Sequence, residues 1–211
     1  MTKVKVDCYW IKELEVDYDN PVELYVEEYP STPIPEGTVR FCLSHEPHPH
    51  LSKKAFAHPE CYNYLLTWKQ EHLNTIPNAI YFHSFNTRVI DYIFPPKVFG
   101  VSTVVGEKWE FEGHTMRHNL FFRQGEITIP RRFYLSGNKL WKGVDYTDQP
   151  LLDENSKDRL WDTQFSIAIE NIFLNNWFTE KIVDCFLSKT VPVYIGAPNI
   201  LDYFNGEGIV I

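Results

Sequence analysis

The last quarter of the chain combines two apolar runs with one helical pattern, and this combination constrains the fold most. The runs at 165–169 and 191–195 are rich in Val, Ile and Phe and have the length of buried parallel strands. Between them, Thr179 precedes apolar residues at helical spacing over 182–187. A last strand is predicted at 208–211. Strands and helices in this order predict a parallel α/β sheet.

The first half of the chain contains weaker strand patterns. Polar and apolar residues alternate over 1–10, and an apolar run occupies 39–43, so both segments predict strands. The acidic, proline-containing stretch between them predicts mostly loop. A short helix is predicted at 61–68 and a further strand at 79–82.

Two adjacent prolines, Pro95 and Pro96, mark the predicted domain boundary, because successive prolines break both helix and sheet. An apolar run at 98–105 follows them and predicts a buried strand, and 113–123 predicts a helix. The polar stretch 136–159 predicts a long loop of the kind that often carries function. The predicted lobes are residues 1–95 and 96–211.

Composition and charge limit the classes of partner. With 211 residues, 44% of them hydrophobic, the chain can build a substantial core, and its net charge of −8 argues against a large nucleic-acid partner. None of the four cysteines forms a C-x-x-C pair, so zinc and disulfide frameworks are not expected. Residues 1–10 lack the apolar region of a signal peptide, and no run reaches the length of a membrane span. A cytoplasmic protein, or one peripheral to a membrane, is therefore expected.

Polar residues follow the first of the two apolar strands directly. Glu170 and Asn171 occupy its carboxyl end, the edge at which open α/β sheets bind ligands. Thr179, Glu180 and Lys181 begin the next helix, whose N-terminus suits a diphosphate. Lys181 adds a cation, and Glu180 suits sugar or ribose hydroxyls. Taken alone, this trio fits a surface charge pair at a capped helix better.

Arg117 lies in the first turns of the predicted helix that follows strand 98–105. A guanidinium group suits phosphate because its planar fork donates two parallel hydrogen bonds. A lone arginine on a helix face is nevertheless more often only solvated, so this position needs support from its neighbours.

Glu46 follows the strand at 39–43 and precedes Pro47, so its carboxylate is held at a strand end, as a general base requires. The nearby His45, His48 and His50 suggest a metal, but Pro49 separates the last two and no fourth ligand is apparent. No metal and no cofactor are predicted. The chain also lacks the P-loop, dinucleotide-binding and nucleophile-elbow motifs.

Three linked segments, 165–171 (FSIAIEN), 178–182 (FTEKI) and 190–196 (TVPVYIG), together resemble the donor-binding signature of the α-1,3-fucosyltransferases, family ten of the glycosyltransferases. Residues 101–106, followed by an arginine-bearing helix, are similar to that family's phosphate-binding region. Residues 42–47 look like the N-terminal segment that carries its base.

The resemblance implies a GT-B-like α/β architecture, with two Rossmann-like lobes facing a cleft and the donor GDP-fucose on the C-terminal lobe. The chain stops at Ile211 within a predicted strand where the family continues, so a truncated C-terminal lobe is expected. Trp177 stands where the family often has tyrosine. The implied site comprises Glu46 as the catalytic base and a donor-binding set: Arg117, Glu170, Asn171, Trp177, Thr179, Glu180 and Lys181.

The implied reaction is inverting transfer of fucose from GDP-fucose to a glycan hydroxyl, with GDP-fucose as a substrate and the glycan acceptor as the second partner. Two alternatives stay open. One is a transferase that uses another sugar nucleotide, because the chemistry of the motif residues does not by itself identify the sugar or the base of the donor. The other is a truncated nucleotide- or glycan-binding module that does not turn over.

Overall fold

Two compact α/β units, Met1–Ser84 and Phe85–Ile211, make up the chain. The computed structural model describes residues 2–7, 14–16, 20–26, 32–45, 47, 57–83, 87–89, 96–136, 151–152 and 157–211. Each unit contains a sheet of mainly parallel strands with helices, so the predicted α/β class is confirmed. The division between the units lies ahead of the predicted boundary at Pro95 and Pro96.

The first unit has a six-stranded sheet in the order β2-β1-β3-β4-β5-β6. Neighbouring strands are parallel except for the antiparallel pair β1 and β2. Its elements are β1 (Thr2–Asp7), β2 (Leu14–Val16), β3 (Val22–Val26), β4 (Val39–Ser44), β5 (Tyr64–Thr67), α1 (Gln70–Thr75) and β6 (Ala79–Tyr81).

The helix predicted at 61–68 is wrong, because the middle of that segment is strand β5. Leu65 and Thr67 are fully buried while Tyr64 is exposed, which is the alternation of a strand. Hydrogen-bonded pairing with β4 and β6 on either side fixes the strand conformation. These partners lie more than ten residues away, so local propensity could not reveal them.

A buried ion pair ties the middle of this sheet to its loops. Arg40 on β4 is almost fully buried, and its Nε donates to Glu23 Oε2 on β3 at 2.7 Å. Its Nη1 donates to the carbonyls of Thr32, at 2.8 Å, and Cys61, at 3.1 Å. The stretch containing β3 was predicted as mostly loop because its charged residues masked the strand.

The second unit has a five-stranded, fully parallel sheet in the order β11-β10-β7-β8-β9. In place of the predicted strand at 208–211, a single bridge joins Val210 to Val193. Its elements are β7 (Val98–Val105), α2 (Glu112–Phe122), β8 (Arg131–Ser136), β9 (Leu151–Leu152), β10 (Thr163–Ile169), α3 (Glu180–Leu187) and β11 (Val191–Ile195). Among the described helices of both units, none is long and apolar enough to cross a membrane.

The strand order of the second unit reverses between β7 and β10. From β7 the chain builds outward through β8 and β9, and it then returns to add β10 and β11 on the opposite side. Helix α2 packs over a core that includes Val105, Phe121 and Phe133, whereas α3 packs over Ala168, Ile182 and Tyr194 on β10, α3 and β11. Such a reversal opens a crevice at the carboxyl ends of the two central strands.

Helix α2 begins in close contact with the carboxyl end of β10. The Gly113 N–H donates to the Asn171 carbonyl at 3.0 Å. A Cβ atom at position 113 would lie 1.7 Å from the carbonyl oxygen of Glu170. Only a glycine allows the helix to start this near the strand, so this residue sets the spacing of the crevice walls.

Replacing Gly113 by alanine should lower the free energy of unfolding by about 1–3 kcal/mol, the usual cost of overpacking, because the opposing atom is backbone and cannot rotate away. Urea denaturation followed by circular dichroism measures this. Gly125 is the matched control, since a Cβ there meets nothing within 4 Å. Equal stabilities of the Gly113→Ala and Gly125→Ala variants would contradict the close approach.

Candidate functional site

A cavity of about 580 Å³ occupies the crevice at the carboxyl ends of β7 and β10, and its described walls belong to the second unit alone. The loop after β7, helix α2, the end of β10 and the start of α3 contribute most of the lining. The polar and charged residues on its walls are Glu107, Lys108, His114, Arg117, Ser136, Lys157, Ser166, Asn171, Glu180, Lys181 and Asp184. Four of the predicted donor-binding residues, from distant parts of the chain, therefore lie around one cavity.

Arg117 bridges α2 to the end of β10. Its Nη1 donates to the Ile169 carbonyl, and its Nη2 donates to Asn171 Oδ1 at 2.7 Å. Burial lowers the pKa of this guanidinium, while the carboxylates of Glu170 and Glu180 oppose the shift. The contact orients both Arg117 and Asn171 at the cavity wall.

Glu180 lies between two ammonium groups at the start of α3. Its Oε1 is 3.9 Å from Lys157 Nζ and 4.0 Å from Lys181 Nζ. Burial raises the pKa of Glu180, but the two lysines and hydrogen bonds outweigh it, so the pKa lies below its usual value. This carboxylate is therefore ionised at neutral pH and can accept hydrogen bonds from a ligand's hydroxyl groups.

Glu170 is the buried anchor of the α3 N-terminus. Its carboxylate is fully buried and accepts hydrogen bonds from the Thr179 N–H at 2.8 Å, from the Thr179 hydroxyl, and from Lys181 Nζ at 3.1 Å. The Thr179 hydroxyl oxygen also accepts from Lys181 Nζ at 2.8 Å. The predicted cap of α3 is confirmed, because Thr179 accepts from the Lys181 backbone N–H.

Three of the predicted donor-binding residues do not line the cavity. Glu170 and Thr179 lie behind Lys181, which they hold in place. Trp177 is only 4% exposed, and its backbone N–H donates to the Leu174 carbonyl in the turn before α3. Direct contact of these three side chains with a donor stays a prediction.

Asp184 and His114 are cavity residues that the sequence did not indicate. Asp184 accepts from the Thr87 hydroxyl at 2.6 Å and from the Arg88 N–H at 3.1 Å, and burial raises the pKa of its carboxyl. His114 Nδ1 accepts from the Phe111 N–H at 3.1 Å; burial, with Arg117 nearby, lowers the pKa of its imidazole to about 4. Both lie within helices, at positions that no sequence motif marked.

Lys157 is a further cavity residue without a motif. It precedes a short 3-10 turn, Asp158–Trp161, that leads into β10. One indirect signal exists, because Lys157 lies in the long polar stretch 136–159 that predicted a functional loop. Nothing in that stretch singled out this lysine.

Glu46, the predicted base, lies outside the residues that the structure describes. Its described neighbours are Ser44, which is buried at the end of β4, and His45, whose carbonyl accepts from Trp68 Nε1 at 2.9 Å. The role of Glu46 stays a prediction.

Within the described part of the chain, one group of side chains has the spacing of metal ligands, with ligand atoms within 4.8 Å of one another: His58, Glu60 and Cys61 of the first unit. His58 Nδ1 lies 3.2 Å from Glu60 Oε1, as in an exposed ion pair. Burial raises the pKa of the Cys61 thiol, which disfavours the thiolate that a metal would need. The group fits a local ion pair better than a metal centre.

Comparisons with known proteins find similarity to α-1,3-fucosyltransferases in a short stretch of sequence and in the fold. No family model matches the chain. Over 57 residues, 27% of the chain, it is 33% identical to the alpha-(1,3)-fucosyltransferase FucT of Helicobacter pylori, and this match spans 12% of that relative. A crystal structure of an alpha1,3-fucosyltransferase superposes with a TM-score of 0.52 at 13% identity, covering 90% of this chain and 60% of that one.

The similarity in fold extends over most of the chain. A fucosyltransferase structure with GDP-fucose also superposes, with a TM-score of 0.52 at 13% identity, over 92% of this chain and 61% of that one. TarM gives 0.55 at 10% identity, over 90% of this chain and 44% of that one. The predicted resemblance and the GT-B-like fold are thereby confirmed, although the chain spans only about three fifths of the fucosyltransferase chains it matches.

Replacing Glu170 by glutamine should lower the free energy of unfolding by about 2–3 kcal/mol, because all its described side-chain contacts are hydrogen-bond donors and an amide nitrogen cannot accept from them. Urea denaturation at neutral pH measures this. The control is Glu126→Gln, which breaks an exposed pair with Arg123 and should change little. Similar losses in both variants would refute the anchoring role of Glu170.

Proposed function

We propose that the chain is an inverting glycosyltransferase that moves fucose from GDP-fucose to a glycan hydroxyl, with the donor bound in the cavity of the second unit. The observation that carries this is the placement of Arg117, Glu180 and Lys181, far apart in sequence, on one cavity at the switch point of a parallel sheet. Open α/β sheets bind nucleotides at this position.

The cations suit a leaving nucleoside diphosphate. In inverting transfer, the acceptor oxygen attacks the anomeric carbon while negative charge grows on the departing diphosphate. Arg117 and Lys181 are fixed by protein contacts before any ligand arrives, so they need little reorganisation as that charge develops. Cations that stabilise the diphosphate in this way make a metal unnecessary in the proposed reaction.

The sugar would be bound by acceptors and donors at the same edge. The ionised Glu180 carboxylate can accept hydrogen bonds from donor hydroxyls, and Asn171 can donate through its amide while its oxygen is occupied by Arg117. Neither group reads the guanine base or the methyl group of fucose. The likeness to a fucosyltransferase structure with GDP-fucose is what favours this donor over other sugar nucleotides.

The decisive experiment is an assay of the purified chain with GDP-fucose and a lactosamine-type acceptor, read by mass spectrometry of the product. We expect a mass gain of one fucose and release of GDP, with GDP-mannose and UDP-galactose as donor controls. Transfer only from a control donor would replace the sugar in the proposal. GDP binding with no transfer from any donor would leave a binding module instead.

Glu46 is proposed as the base that takes the proton from the acceptor hydroxyl. Glu46→Gln keeps the size of the side chain and removes its basicity, so turnover should fall by roughly 10²-fold or more while GDP affinity, measured by calorimetry, stays unchanged. Glu36→Gln, in an exposed turn of the same unit, is the control and should turn over normally. Normal turnover of Glu46→Gln would move the search to Glu60, Glu71 and Asp91.

A further inference from the structure

Lys157 differs in its protein contacts from Arg117 and Lys181, the two cations that sequence motifs indicate. It lies on the wall of the same cavity, and its side chain is 32% exposed. The described ion-pair partner of its ammonium group is Glu180, at 3.9 Å. Hydrogen bonds from N–H groups to oxygen are about 2.7–3.2 Å long, so at 3.9 Å this contact is Coulombic only.

The other two cations already have protein acceptors at hydrogen-bond distance. Lys181 Nζ donates to Glu170 and Thr179, and Arg117 donates to the end of β10. Among the residues that the structure describes, no acceptor at such a distance is found for Lys157. Its three ammonium protons are therefore the more readily available to an anion that enters the cavity.

The surroundings of Lys157 make its position costly in the absence of a ligand. Burial lowers the pKa of Lys157, and the positive charges of Lys181 and Arg88 act in the same direction against Glu180 and Asp184. A cation that is partly desolvated, close to other cations and without a short contact is typical of a site arranged for an anionic ligand.

We infer that Lys157 is a third donor-binding cation, which contacts the phosphate groups of the nucleotide directly. This inference rests on the proposed function, because it takes the ligand of the cavity to be a nucleoside diphosphate. Lys157 approaches from the turn before β10, whereas Arg117 comes from α2 and Lys181 from α3. The diphosphate would thus be held by cations from three separate elements.

The alternative is that Lys157 only neutralises Glu180. Glu180 has a second ammonium group, Lys181, at nearly the same distance, so removal of Lys157 leaves this carboxylate a cation neighbour. The two roles differ in one respect: neutralisation requires the charge of Glu180, and phosphate binding does not.

The test is a double-mutant cycle of Lys157→Met and Glu180→Gln, with GDP affinity measured by titration calorimetry. GDP lacks the transferred sugar, so a contact of Glu180 with the hydroxyls of that sugar does not enter, and a contact with the ribose is present in both arms of each comparison. Lys157→Met should weaken GDP binding by about 10- to 100-fold, the range for losing a charged hydrogen bond, in both the wild-type and the Glu180→Gln background. Lys189→Met, which removes an exposed lysine after α3, is the matched control and should bind GDP normally.

Thermal melting separates a ligand contact from a structural one. Lys157→Met should melt at the wild-type temperature or above, since it removes a desolvated charge, and Lys157→Arg should retain most of the GDP affinity. Lys157→Gln serves as a second variant should the methionine protein fail to fold. Unchanged GDP affinity in Lys157→Met or Lys157→Gln, or a loss that disappears in the Glu180→Gln background, would overturn the inference alone. Wild-type protein that does not bind GDP would overturn the proposed function with it.

Discussion

The buried carboxylate of Glu170 is the interaction on which the site depends. Its oxygens hold Thr179 and Lys181, so the strand β10 fixes the first turn of α3. Its backbone N–H donates to the Ile195 carbonyl of β11, and its own carbonyl lies against Gly113 at the start of α2. One residue therefore joins both helices to the two strands at the edge where the cavity opens, and a charge this deeply buried is stable only while its donors stay in place.

The cavity combines fixed charges of both signs. Arg117 and Lys181 are engaged by protein acceptors, whereas Glu180 and Lys157 face each other without a short contact. Fixed dipoles and charges favour a transition state because they need not reorganise as charge moves. The looser pair supplies the groups that can exchange a protein partner for a ligand. The cavity therefore contains charges held in advance by the protein beside charges whose contacts can rearrange.

Elements bounded by clear signals were predictable from the sequence. Strands β7 and β11 match their predicted limits, because continuous apolar runs between breakers have few alternatives. The segment 64–67 was assigned to a helix since its strand partners are distant in sequence. The burial of the Glu170 side chain could not be predicted from the sequence either. It depends on space left by glycines, including Gly196, where a Cβ would lie 2.7 Å from Glu170 Cγ. Lys157 was not predicted as a site residue, because a polar loop has no periodic pattern that distinguishes one residue from its neighbours.

The contact between Gly113 and the end of β10 also bears on how such a site can diversify. Because α2 rests directly on backbone atoms of β10, it cannot slide inward, and its arginine stays at one fixed distance from the strand edge. The opposite wall consists of side chains on α3 and on the turn before β10, which can change size and charge without moving the backbone. Evolutionary changes in ligand preference should therefore accumulate on that second wall, with the α2 wall retained as a constant surface.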